Sequence, residues 1–321
     1  MNPANDFYSG NAKKTWYFGK RCVDAERRRA ILKQERTQYE IMTQTPVSNL
    51  IVSLSIPTIL SVLVTNIYNM ADTAFVGQLG NSASGAVGVV FGFMSILQAV
   101  GFMFGQGSGS ILSRHLGRQD VEQATEIASS GFFGALFTSI IVEIICFWRL
   151  DDLVIALGST ETIVPYAKTY ITYILLAAPF VTTSFTMNNL LRYEGKAALG
   201  MIGLLAGALL NIIGDPIFMF VFDMGIAGAG LSTALSQVVG FCILLWMFLR
   251  GKTQSRISWK CISKSSWKWF NLVSSGFPSL LRNGLTSFTT VLLNSLSAAY
   301  GDAAVAAMSI VSRIAMFIFS I

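Results

Sequence analysis

The chain is 321 residues long, 53% hydrophobic and only 12% charged, with a mean hydropathy of +0.57 and a formal charge of +6. Soluble domains carry roughly a quarter charged residues, so this composition excludes a chain that faces water on most of its surface and implies an all-α polytopic membrane protein. The four cysteines have no metal or redox spacing, and a single histidine, His115, excludes a multi-histidine metal site. The basic excess falls in particular loops, so it is no signal for nucleic acid.

Residues 1–49 are polar, with nine Lys/Arg against five Asp/Glu, and no apolar core of signal-peptide type precedes Leu50. They read as a polar cytoplasmic extension. Within it, Arg27–Met42 is either a short basic helix at the membrane surface or a dispensable stretch with Met42 as the true start. Seven complete hydrophobic segments and part of an eighth follow, near 50–76, 84–112, 124–148, 162–190, 198–222, 227–249, 271–299 and from 303 onward. Each complete one reaches the roughly 20 residues that span a bilayer.

Loop charges predict the orientation. Connections 2–3, 4–5 and 6–7 hold ten Lys/Arg, from Arg114 to Lys268, whereas the opposite side holds Arg149 among Asp151, Asp152, Glu161, Asp223 and Asp302. The positive-inside bias then puts the N-terminus and the basic loops in the cytoplasm, and the expected location is the plasma (inner) membrane. A shift of 221 residues lays Pro57 on Pro278, Leu60 on Leu281, Thr65 on Thr286, Gly80 on Gly301 and Ala83 on Ala304. An even number of helices lies between the copies, so this is a parallel repeat, as in transporters made of two similar halves. The chain stops inside an apolar run, AMFIFSI, where the last helix's carbonyls would be unsatisfied in lipid. The expectation is a truncated or split gene, or a fragment, lacking about four helices on the repeat logic.

Polar groups inside the segments mark the candidate chemistry. Ser61, Thr65, Tyr68, Asn69 and Asp72 recur on one face of the first segment. A charge near mid-bilayer costs about 2.5–3.5 kcal/mol, so Asp72 needs a partner, water or a function. Asn188 and Asn189 end the fourth segment, and Asn211 and Asp215 lie four apart on the fifth, facing the same way. Pro216 withholds a donor from the carbonyl of Ile212 and should kink that helix beside the carboxylate. Thr233 lies on the sixth, in the small-residue run GAGLSTALSQ. Two carboxylates among amide and hydroxyl oxygens can share a proton, hold a hard cation such as Na⁺, or pair with a cationic substrate; alternatively both sit near helix ends and reach water. Glu143 and Lys168 snorkel outward or pair with each other. The Met- and Phe-rich face of the second segment (Phe91 to Phe104) is either core packing or a greasy cavity wall.

The runs SIPTILSVLVTNIYNMADTAFVGQLG, SRHLGRQD, LLRYEG, NIIGDPIF and GIAGAGLSTALSQ resemble the multidrug and toxic-compound extrusion (MATE) family over about residues 45–321. The resemblance implies two six-helix lobes: 50–249 as the N-lobe, 250–270 as a basic cytoplasmic inter-lobe loop, and 271–321 as the start of a C-lobe. It implies a membrane antiporter, not an enzyme, that exports cationic or amphiphilic small molecules in exchange for H⁺ or Na⁺, with no cofactor beyond that ion, contact with membrane lipid, and further C-lobe helices in the same or a split chain. The implied cation or proton site is Asp72, Asn211, Asp215 and Thr233, with Asn188, Tyr68 and Tyr170; Na⁺ would sit at Asp72, Asn211, Asp215 and Thr233. The chain departs from one branch of the family in lacking a seventh-segment glutamate: SLLRNGLTSF offers Thr286 instead. Coupling should therefore rest on the N-lobe acids.

Three other readings compete. A lipid-linked precursor flippase of the same superfamily would favour a cationic cavity, for which Arg282 and Arg313 speak and the acidic stripe does not. An intramembrane aspartyl protease would need Tyr-Asp and Gly-x-Gly-Asp, but Ala71 precedes Asp72 and Ile212 stands where the first glycine belongs. A half-transporter without function is the fourth.

Overall fold

The computed structural model describes residues 41, 44–251 and 253–319, apart from the side chains at 313, 316, 317 and 319. Nearly all of the N-terminal extension, including Arg27–Met42 with the exception of Ile41, lies outside the described residues, as does the Arg313 side chain. The described chain is all-helical: α1 (Val47–Gly77), α2 (Asn81–Gly117), α3 (Val121–Trp148), a short α4 (Leu150–Ala156), α5 (Val164–Tyr193), α6 (Ala197–Pro216), α7 (Gly225–Leu249), α8 (Ser266–Ala298) and α9 (Asp302–Phe319). Among the described residues, α1, α2, α3, α5, α6 with its extension to Val221, and α7 are long and apolar enough to cross a membrane. Helix α8 is long enough, but its Ser, Thr and Asn residues and Arg282 make it more polar than those six.

The repeat is visible in the backbone. Helix α1 ends at Gly77 and α8 at Ala298; α2 starts at Asn81 and α9 at Asp302, in each case 221 residues apart. Gly80 and Gly301, the residues before those starts, have φ of +113° and +91°. Only glycine takes such values cheaply, which is why the turn between the paired helices keeps it in both copies.

Helix α2 is the central post, touching α3, α5, α8 and α9, while α1, α6, α7 and α5 pack in sequence around one side. The core divides along the helix axes. One cluster gathers Val76, Phe93, Leu97, Tyr170, Ile174 and Met219; the other, toward the basic ends, gathers Leu112, Ile127, Phe132, Met187, Leu190 and Phe248. Phe91, Phe93, Met94, Met103 and Phe104 are all buried, so the Met/Phe face of α2 is mainly core packing. A side chain on Gly107 or Gly276 would strike the facing backbone, at Leu272 O and Met103 O respectively, so these glycines set the close approach of α2 and α8.

The basic connection between α7 and α8 is held down by side chains. Ser129 Oγ donates to Arg256 O (3.0 Å) and accepts from Ser258 N (3.1 Å), and Ser130 Oγ accepts from Ser263 N (2.9 Å). Lys168 pairs with Asp151 at 2.7 Å and not with Glu143. Asp151 lies in the adjoining α4, whose seven residues are too few for a hydrophobic period to reveal.

Candidate cation-binding site

Helix α6 carries the centre of the site. Pro216 cannot donate to Ile212 O, and the α-helix ends there, continuing as a wider π turn over Ile217–Val221. The expected kink is therefore a change of helix type directly after Asp215. Small residues bring α7 against α6: a Cβ on Gly240 would lie 3.2 Å from Gly203 O, and one on Gly207 3.1 Å from Ser236 O.

That approach puts three predicted residues in contact. Asn211 Nδ2 donates to Asp215 Oδ1 (3.0 Å) and to Thr233 Oγ1 (3.2 Å), and Ser232 Oγ donates to Asn211 O (3.4 Å). Asp215 has 0% exposure. Asp72, also buried, lies close enough to Asp215 for the two carboxylates to repel each other. Asn211 Oδ1 and Asp215 Oδ2 are buried without a hydrogen-bond partner among the described residues. Buried polar oxygens are normally satisfied, so this pair is an opening for a proton or a hard cation. Oxygen donors with a carboxylate suit Na⁺; among the described residues no group of three or more His, Cys, Asp or Glu forms a site for a more demanding metal.

The remaining predicted residues divide. Tyr68 and Thr65 of α1 line a cleft with Asn211 and Thr233, of about 30 Å³, the size for a small ion or a water or two. Ser61 and Thr65 turn their hydroxyls back onto Pro57 O and Ser61 O, so part of the α1 stripe satisfies its own helix. Tyr170 is buried in the core cluster with Val76 and Met219, each one turn beyond Asp72 and Asp215 respectively. Asn188 is not brought to this group. Its Nδ2 packs against Gly200, where a Cβ would lie 2.6 Å away. Gly200 precedes Asn211 by 11 residues on the same helix. That is about 16 Å of helix rise. The polar α5 residue in the cleft is Ser184, one turn earlier, whose buried Oγ has no partner among the described residues. Ser184, Ser236 and Gln237 were missed by sequence reasoning: serines in apolar helices usually bond their own backbone, and nothing in the spacing of Gln237 sets it apart.

The fold and this site define the class: a multi-pass α-helical membrane protein with paired acids and an ion-sized cleft inside its helices. A family model described as MatE matches residues 57–217, just over half of the chain, and the chain belongs to that family of transporters. The multidrug export protein MepA of Staphylococcus saprophyticus is 30% identical over 264 residues, covering 82% of this chain and 58% of MepA. Among solved structures, the MATE multidrug transporter DinF-BH has 30% identity and a TM-score of 0.81, over 86% of this chain and 62% of that one. An inward-facing MATE family transporter of the MOP superfamily has 30% identity and a TM-score of 0.74, over 83% and 61%. The chain spans about three-fifths of the length of the curated relatives it matches.

Proposed function

We propose that this chain serves cation-coupled export of cationic or amphiphilic small molecules, with residues 50–249 as an ion-binding lobe, 250–270 as the inter-lobe connection and 271–321 as the start of a second lobe. The observation that carries the reading is Asn211 joining Asp215 to Thr233 beside buried oxygens without partners among the described residues. A proton or Na⁺ entering there relieves the repulsion between Asp72 and Asp215 and lets α1 draw toward α6. Export follows if a drug binds best in the other ion state, since a ligand shifts an equilibrium only through differential affinity. The orientation that loop charges favour, N-terminus inside a plasma membrane, directs that export outward.

The test is binding of a cationic dye to the purified protein as pH and Na⁺ are varied, with export from cells expressing it as a second readout. Dye affinity in the unaltered protein should change with one of the two ions, and Asp215→Asn or Asp72→Asn should remove that dependence while leaving a folded protein. Ion dependence that survives both substitutions would refute the coupling site.

A further inference from the structure

A second polar feature lies at the other end of the bundle, away from the acid pair. The end of α2 and the starts of α3 and α8 enclose a cleft of about 420 Å³ lined by Arg114, His115, Arg118 and Lys268, with Ile111 and Ile127 among its apolar walls. No carboxylate is among the described residues lining it.

The charged side chains lining it, Arg114, Arg118 and Lys268, are all positive, and the acids of that region, Asp120, Glu122 and Glu126, stand at the start of α3. Lys268 Nζ is held by Glu126 (2.8 Å) and Gln123 Oε1 (2.6 Å), which neutralises one cation. Asp120 lies 4.0 Å from His115 Nδ1 and caps α3 through Gln123 N. Arg114 uses its Nε toward Ser110 O at 3.1 Å, which leaves the outer nitrogens of its guanidinium to donate elsewhere. Arg114 and Arg118 are both exposed and lie one turn apart at the end of α2. Two guanidinium forks at helical spacing suit the oxygens of a phosphate better than a point charge does.

Depth selects among phosphates. Helix α3 has 28 residues. At about 1.5 Å per residue it measures about 42 Å, close to the full thickness of a bilayer with its headgroups. Its first two turns, which supply Gln123 and Ile127 to the cleft, therefore lie at headgroup level. At the start of α8 the exposed rings of Trp267 and Phe270 stack at 5.8 Å, beside Lys268. Aromatic residues of this kind mark the membrane–water boundary. A soluble phosphate compound would use the same arginines, but it would gain nothing from the apolar walls or from this depth.

We propose that this cleft binds the phosphate of an anionic phospholipid headgroup, with Arg114 and Arg118 as its principal ligands. Basic pockets between membrane helices hold such headgroups elsewhere by the same charge complementarity. The site is separate from the acid pair, and the inference stands or falls independently of the export reading.

The experiment measures lipid affinity by native mass spectrometry of the purified protein titrated with phosphatidylglycerol and with phosphatidylcholine. The unaltered protein should prefer phosphatidylglycerol, and Arg114→Gln with Arg118→Gln should weaken that binding about 30-fold. Arg250→Gln with Lys260→Gln, exposed basic residues outside the cleft, should leave it unchanged. Millimolar glycerol phosphate should not displace the lipid. Equal binding of the two lipids, equal weakening by both variant pairs, or displacement by glycerol phosphate would each overturn the assignment; the last would make a soluble anion the ligand. Thermal unfolding of each variant confirms that a loss of binding is not a loss of fold.

Discussion

Glu194 offers the sharpest test of how the connection between α7 and α8 is held. It follows the last turn of α5, where a negative charge opposes the helix dipole, so it does not stabilise its own helix. Its carboxyl group, 2% exposed, instead accepts from Gln254 N (2.8 Å), Ser255 N (3.0 Å) and Ser255 Oγ. Glu194→Gln keeps one oxygen for Ser255 and turns an NH₂ toward another donor, which should cost about 1.5–3 kcal/mol for a bond made to a charged or deeply buried group. Glu194→Ala leaves two backbone N–H groups and a hydroxyl without acceptors. Its loss is capped at about 3 kcal/mol, because the connection can lift off and take up water instead.

Lys260 and Lys264 are exposed on that connection and offer trypsin a readout of its opening. If opening precedes cleavage, a loss of about 2–3 kcal/mol speeds cutting there by about 30- to 140-fold, at about 1.4 kcal/mol per decade. Burial pushes the Glu194 carboxyl above its ordinary value of 4.5, against the opposing pull of the Ser255 hydroxyl and the two backbone donors. A folded-state value above the unfolded one means that the contribution to stability is full below about pH 4.5 and drains away as pH rises through the raised value. Protection of the connection should therefore fall across that window in the unaltered protein and stay flat in Glu194→Gln. Cleavage no faster in Glu194→Ala than in the unaltered protein, with both folded, would refute this account.

Two further substitutions test the packing. Gly276→Ala should lower thermal stability by about 1–3 kcal/mol, because its new methyl group meets Met103 O across the α2–α8 seam; Gly284→Ala, with open space around it on the same helix, is the control that should change stability little. Asp302→Ala removes the acceptor of Ser82 Oγ (2.6 Å), Thr160 Oγ1 (2.5 Å) and Thr162 Oγ1 (2.6 Å). Amide hydrogen exchange should then rise in the first turn of α9 and in residues 158–163, and exchange confined to α9 would show that the hydroxyls hold nothing on their side.

Much of the scaffold was legible because its signals are local. Proline inside α1 and α8, glycine before α2 and α9, and long apolar runs all act over a few residues, and the helix ends fall where they indicate. The spacing of Asn211 and Asp215 likewise gave their shared face, and Thr233 stood out in its small-residue run, its place in the site coming through the resemblance. What was not legible depends on depth or on distant pairing. Asn188 and Ser184 lie four apart on one face of α5, so helical period cannot say which of them is level with Asp215. For Lys168 the sequence offered Glu143 as a partner, and only the turn into α4 brings Asp151 to it instead. Glu194 meets Gln254 and Ser255 some 60 residues on, and nothing near either partner announces the contact.

The repeat separates what shape requires from what charge requires. Both copies need glycine at positive φ between their first and second helices, and both keep it, at Gly80 and Gly301. The acids are under no such common demand. Asp72 stands opposite Leu293 in the second copy, while Asp302 stands opposite Asn81 in the first. In the first copy the carboxylate is buried near the end of α1, within repelling range of Asp215, where charge is expensive. In the second it sits at the helix start, where a negative charge is favoured, and three hydroxyls from the first copy surround it. One carboxylate is held in an environment that makes it responsive, the other in one that satisfies it. The same pair of helices therefore carries a buried acid in one copy and a structural tie in the other, and the difference lies in which of the two helices receives the acid.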